Sequence, residues 1–315
     1  MTGEQANGGM VWAYLVHLGT NMWCDRDAPE LVDRPYLCAK PHMRCERTVW
    51  DDLIKAWNGA GINMAVIDLG EGVEYQSHPE LAVRGSWKRE WLQEELVKLR
   101  DLGIEPIPKL NFSTAHDAWL GKYGRCVSSE AYYRVCCELI AEVFTLFDNP
   151  RFFHLGMDEE TAEHQRYYSY VAIRQYDLWW HDLHFLLEQV KRRGAQSWIW
   201  SDYFWRHPEA FIEKMPKTVL QSNWYYGEAF EDTVDAVKAY VELDKNGFDQ
   251  IPAGSNWTTP DNFANTVKFC KDHIDPERLK GFLQTVWKPS IESLRADHMA
   301  AVDQVAKARA AFESQ

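Results

Sequence analysis

Two hydrophobic periods alternate along this chain, and nothing else in it constrains the fold as tightly. Short apolar runs rich in Val, Ile and Leu are each followed by longer stretches in which apolar residues recur every three or four positions. The first pattern suits a strand buried on both faces and the second an amphipathic helix. Their alternation is the mark of βα units around a parallel sheet. The runs are Met10–Leu18, Ile62–Leu69, Ile104–Leu110, Arg151–Met157, Gln196–Trp200, Thr218–Ser222, Phe248–Pro252 and Gly281–Val286.

Between them the helical stripes are explicit. Tyr132, Cys136, Leu139, Ile140, Val143 and Phe147 form one, and Trp179, Leu183, Leu186, Leu187 and Val190 form another. Gly61, Gly103, Gly194 and Gly247 each separate a helical stretch from the next apolar run, where a left-handed C-cap is wanted. Thr259 before Pro260 predicts a helix start, a cap followed by a first-turn proline. Eight such units predict an α/β fold, a single (β/α)8 TIM barrel over residues 1–315, with no linker or low-complexity tract. The length agrees, since such barrels run about 250 residues before insertions.

Composition narrows the partners. A net charge of −13 argues against nucleic acid, whose phosphates demand clustered Lys and Arg. No apolar stretch is long enough to span a membrane, and Met1–Gly9 is polar with no basic start before an apolar run. The expectation is a cytoplasmic protein, or a secreted or periplasmic one whose leader has been removed; a homo-oligomer is compatible with either. Seven cysteines cannot all pair with one another, which suggests free, mostly buried thiols. Cys24, Cys38, His42 and Cys45 match no standard zinc spacing, so neither metal nor cofactor is expected. The 15 tryptophans suit sugar-binding walls, but they are equally good core material.

In a barrel of this kind the site lies at the C-terminal ends of the strands. Read in order, those ends carry His17, then Asn21 and Trp23; Asp68, with Glu71 and Glu74; Lys109, Asn111 and His116; His154, Asp158, Glu159 and Glu160; Trp200 and Asp202; Trp224, Tyr225 and Tyr226; Asn256 and Trp257; and Trp287 with Lys288. Polar, acidic and aromatic groups thus gather on one rim, as a carbohydrate pocket requires.

The sharpest segment is His154-Leu155-Gly156-Met157-Asp158-Glu159-Glu160. It resembles the HxGGDE motif that family 20 β-N-acetylhexosaminidases carry at the end of barrel strand four. Three further segments are similar to that family: Ile107-Pro108-Lys109-Leu110-Asn111-Phe112 leading to His116, Trp200-Ser201-Asp202, and one tryptophan near each of the last three strand ends, Trp224, Trp257 and Trp287. The resemblance is distant and confined to the barrel. Met157 replaces the second glycine, strand one ends without the family's arginine, and Trp287-Lys288-Pro289 stands where the family has Trp-x-Glu. The resemblance implies a glycoside hydrolase with the acetamido chemistry kept and the hydroxyl clamp rebuilt, so N-acetylgalactosamine is at least as plausible a substrate as N-acetylglucosamine.

The residues support that chemistry independently. Most retaining glycosidases place a nucleophilic carboxylate across the site from the acid, and two adjacent residues do not flank a bond that way. Adjacency suits the substrate-assisted route, in which the substrate's acetamido oxygen attacks C1. Glu159 then serves as acid and later base, Asp158 holds the acetamido N–H, and Tyr225 or Tyr226 donates to the acetamido oxygen. Apolar walls are expected to raise the Glu159 pKa. His17, Asp68, Asn111, His116, Asp202, Trp200, Trp224, Trp257 and Trp287 are the expected substrate contacts.

Bland readings stand beside these. Acids before a helix favour its N-terminus electrostatically, and Glu160 reads as solvated or a cap. Two other mechanisms use the same rim: separated carboxylates, Glu159 with Asp202 or Glu74, and a metal-dependent hydrolase on His17, Asp68, His116 and Asp158.

Overall fold

The computed structural model describes residues 9–314. The readings that fall on the first eight residues lie outside it. Eight parallel strands form one sheet: β1 (Val11–His17), β2 (Met64–Asp68), β3 (Glu105–Lys109), β4 (Phe152–His154), β5 (Gln196–Trp200), β6 (Leu220–Ser222), β7 (Ala253–Ser255) and β8 (Gly281–Thr285). Their order is β6-β5-β4-β3-β2-β1-β8-β7. Two bridges between the end strands, Gln221 with Gln250 and Trp224 with Ala253, bring the sheet round into a barrel.

Around it run α1 (Arg47–Ala60), α2 (Arg89–Asp101), α3 (Glu130–Leu146), α4 (Asp177–Lys191), the short α5 (Tyr203–Arg206) and α6 (Pro208–Lys214), α7 (Asp235–Lys245), α8 (Asn262–His273) and α9 (Arg295–Glu313). No helix among the described residues is long and apolar enough to cross a membrane.

Both faces of each strand are covered, which explains the unbroken apolar runs. Along β1, Val11, Ala13 and Leu15 point into the barrel beside Met64, Val66, Ile107 and Leu283. Trp12, Tyr14 and Val16 point outward, into the layer shared with the helices. Truncating an inward leucine such as Leu15 to alanine would cost about 2–5 kcal/mol. The helices bury the stripes read from sequence: α1 presents Val49, Trp50, Leu53, Ile54 and Trp57 and ends at Gly61, whose φ of 72° is left-handed. Gly103, Gly194 and Gly247 also have positive φ.

β4 ends at His154, three residues before the expected Met157, and two further elements are displaced. The seventh strand was expected at Phe248–Pro252, but β7 is Ala253–Ser255. Gln250 does bridge both neighbours, yet Pro252 has no N–H to donate and interrupts the ladder. The helix expected to start at Thr259-Pro260 starts at Asn262, with Asp261 as its cap residue; Thr259 and Pro260 belong to the preceding turn.

Candidate active site

Because every strand is parallel, all eight C-terminal ends open on one side of the barrel. There a cavity of about 470 Å³ is bounded by Trp23, His116, Asp158, Glu159, His164, Trp224, Tyr226, Trp257 and Trp287, together with Leu31, Arg34, Leu37, Glu163, Arg166 and Tyr167.

The acids sit on a turn that an ordinary strand exit would not make. After β4 the chain passes through Gly156 (φ 73°), Met157 (φ 76°) and Glu159 (φ 56°), all left-handed. In extended backbone, neighbouring side chains point to opposite faces. The reversal at Glu159 instead brings both carboxylates to one ring: His116 Nε2 lies 3.2 Å from an oxygen of Asp158 and 3.2 Å from one of Glu159. Both contacts are off the line of a good N–H bond, so they act as charge pairs. Gly156 admits no other residue: a Cβ there would lie 1.9 Å from Asn111 Oδ1 and 2.8 Å from Asn111 Cα. Such backbone strain is tolerated where the surroundings over-determine it, and it concentrates at functional sites.

Asn111 fixes the pair from behind. Its amide donates to Asp158 Oδ1 (2.8 Å), and its carbonyl oxygen accepts from the backbone N–H groups of Ser113 (3.0 Å) and Met157 (3.2 Å). Asp202 Oδ2 accepts the Glu159 N–H (2.9 Å). His154 takes the Gly156 N–H on Nδ1 (3.1 Å), so it braces the turn.

Electrostatics depart from the expected pattern. Burial pushes the Glu159 carboxyl up, but the close contacts with His116 and His164 outweigh it and hold the group down at about 2. The expected raised value is therefore not found: the apolar walls are present, yet two imidazoles face the acid. His116 is raised to about 10, since the charges of Asp158 and Glu159 overcome its burial. His164 Nε2 stands 3.2 Å from Glu159 Oε1, and its pKa is raised by that contact. Burial and the nearby charge of Asp158 push Asp202 up to about 7.

The remaining candidates divide by depth. Trp224, Tyr226, Trp257 and Trp287 line the cavity. Trp224 stacks on Tyr226 at 4.9 Å, and the Trp287 indole donates to the Tyr226 hydroxyl (3.0 Å), leaving the phenol proton to give. Tyr225 does not line it; its ring packs against Phe230. Trp200 is buried beneath, 5.6 Å from the Trp287 ring. His17 and Asp68 are also buried beneath: Asp68 accepts from Lys109 Nζ (2.5 Å), with His17 Nδ1 3.3 Å away.

With that ammonium seated on Asp68, the four residues of the metal reading do not converge. Among the described residues, the group that could hold an ion is His116, Asp158 and Glu159, whose ligand atoms lie within 4.8 Å of one another. Glu74 is exposed and absent from the cavity wall. Glu160 is not solvated: Arg174 binds it through Nη2 (2.6 Å) and also reaches Asp182 (3.2 Å), tying the β4 loop to α4. His164 was not anticipated. It stands five residues beyond Glu159 in a loop, where reading strand ends does not look.

No protein-family model matches the chain, and no curated protein matches it in sequence. Solved structures do share its fold. A chitobiase from Flavobacterium johnsoniae aligns with a TM-score of 0.58 at 16% identity, over 86% of this chain and 48% of that one. An N-acetyl-β-hexosaminidase from Streptomyces plicatus aligns at 0.62 and 14% identity, over 94% and 62%. Dispersin B aligns at 0.59 and 14% identity, over 95% and 98%. The chain thus spans about half the length of the chitobiase and nearly all of dispersin B. At these identities the likeness establishes the barrel and no more.

Proposed function

We propose that this chain is a glycoside hydrolase that removes β-linked N-acetylhexosamine by substrate-assisted, retaining catalysis. The observation that carries the reading is that the neighbours Asp158 and Glu159 meet one histidine at 3.2 Å each, inside an aromatic-walled cavity. The structural neighbours bear names in keeping with it: chitobiase, N-acetyl-β-hexosaminidase and an exo-β-N-acetylglucosaminidase from Vibrio harveyi.

In this mechanism the acetamido oxygen attacks C1 while Glu159 gives a proton to the leaving oxygen. Asp158, fixed by Asn111, receives the acetamido N–H and favours the oxazolinium charge. Tyr226 donates to the acetamido oxygen. Water then opens the ring, with Glu159 as base. Glu159 needs a proton for the first step, whereas in the free site His116 and His164 favour its charged form. N-acetylgalactosamine stands level with N-acetylglucosamine in this proposal, because no acidic residue like the family's occupies the end of β8.

The test is hydrolysis of aryl β-N-acetylgalactosaminide and β-N-acetylglucosaminide, with and without a chelator. Cleavage of either sugar is expected, unaffected by the chelator. Glu159→Gln and Asp158→Asn should each lower kcat by about 10²–10⁴-fold. Inertness towards both sugars, or variants that keep their activity, would overturn the reading; loss of activity with the chelator would move the His116, Asp158 and Glu159 cluster to a metal role.

A further inference from the structure

Three loops on the open side of the barrel meet at one guanidinium. Arg125 ends the short 3-10 turns Ala118–Arg125 that follow β3. Its Nη2 lies 3.6 Å from Asp25 Oδ2, on the loop after β1, and 3.6 Å from Asp117 Oδ1, on its own loop. Its guanidinium carbon stands 4.5 Å from the centre of the Tyr168 ring and 5.0 Å from that of Tyr170, both on the loop after β4. We propose that Arg125 is a positioning residue, which sets the His116 imidazole against the two acids while itself standing outside the cavity wall. The inference rests on the function proposed above.

The partners of this joint are chain neighbours of cavity residues. Asp117 directly follows His116, and Asp25 stands two residues after Trp23. The Tyr168 hydroxyl donates to the Met22 carbonyl and lies 3.1 Å from that of Ala115, the residues that immediately precede Trp23 and His116. Both rings are thus held from either side along the chain. They pack edge to face, with centroids 6.3 Å apart, so each route through the joint ends on His116, where Asp158 and Glu159 meet.

Packing says why an arginine stands here. Both Asp117 oxygens and Arg125 Nη1 are buried without a hydrogen-bond partner among the described residues. Such groups are costly alone, and set against each other they offset that cost. The other guanidinium of this region, Arg174, is taken up by Glu160 and Asp182. A guanidinium can face two carboxylates and lay its plane on aromatic rings at once, an arrangement that a compact ammonium matches poorly. The loop is shaped to deliver it: a Cβ on Gly124 would lie 2.8 Å from Asp117 Oδ2 and 3.0 Å from the Asp117 carbonyl oxygen. Glycine there lets the end of the loop return to its beginning.

The experiment is a double-mutant cycle read in kcat on the aryl β-N-acetylhexosaminide, with Arg125→Lys and His116→Gln alone and together. Arg125→Lys is expected to lower kcat about tenfold with KM changed less than about twofold, since a small misplacement remote from the chemistry suffices for such a loss. In the His116→Gln background it should lower kcat by less than about twofold, because the group it positions is gone. A purely structural role would give the same factor in both backgrounds. That result, or an unchanged kcat in Arg125→Lys, would overturn the proposal and leave the hydrolase reading intact. If Arg125→Lys does not fold, Tyr168→Phe removes only a hydroxyl from the same joint and is read by the same cycle, with the same two outcomes. No cleavage by the wild type would overturn both readings.

Discussion

His116 stands between two acids, and its own titration governs how the site responds to pH. Unfolded, an imidazole loses its proton near 6.5; here it does so near 10. Its pairing therefore stabilises the fold fully below pH 6.5, and the contribution is lost as pH rises through 10. Glu159 is depressed from 4.5 to about 2, so its contribution is present above 4.5 and lost as pH falls towards 2. His116→Gln strips two buried carboxylates of their cation. At pH 6 it should cost about 3 kcal/mol in urea unfolding, and much less at pH 10; equal losses at both would contradict the assignment. Tyr226→Phe should lower kcat about a hundredfold with KM little changed, as removal of one donor to a developing charge does. A rise in KM alone would make Tyr226 a binding residue only.

Among the strands, the closure between β6 and β7 is a thin place, as is the β3–β4 junction, which has the single register pair Lys109 with His154. β1 and β2 pair over five successive residues, whereas β6 and the β7 segment share two isolated bridges. Amides there, such as Ile251 and Ala253, bond across at 2.9 Å each, but with few neighbours to share the load. Hydrogen exchange should be faster at Ile251 and Ala253 than at Leu15 and Val66, and uniform protection would refute this. The same seam shows where sequence stops being legible. The alternation of runs and stripes placed seven of the eight strands, because burial on both faces keeps a strand mostly apolar. It misplaced the seventh because a proline can end an apolar run or interrupt a ladder, and the letters do not say which. At the β4 turn the Asp158–Glu159 pair was visible, but its meeting on His116 depends on a left-handed backbone at a glutamate, which nothing in the residue type announces. The buried role of Asp68 was recoverable in principle: it is the cross-strand partner of Lys109, and two opposite charges at matched strand ends can neutralise each other within the barrel.

At the scale of the molecule the −13 charge matters. A negative surface repels polyanionic chains and leaves neutral ones alone. Raising salt from about 10 mM to 150 mM shortens the reach of that field to about 8 Å. Cleavage of a uronate-bearing oligosaccharide should then accelerate, with a neutral one unaffected; a matching salt response for both would remove the charge argument.

The loops after β1 and β4 are fastened to one another beside the cavity: Tyr168 donates its hydroxyl proton to the Met22 carbonyl, and Asp25 accepts from the Ser169 N–H (2.8 Å). Leu31, Arg34 and Leu37 from one loop and Tyr167 from the other form the wall on that side. Such a wall on one side of the cavity favours a chain that enters by its tip over one that lies across the site. Under the proposed function, turnover on a polymer would then be counted in termini. Shearing the polymer to half its length, at constant mass, would double the rate, and an enzyme of this shape would work fastest downstream of one that cuts chains in the middle.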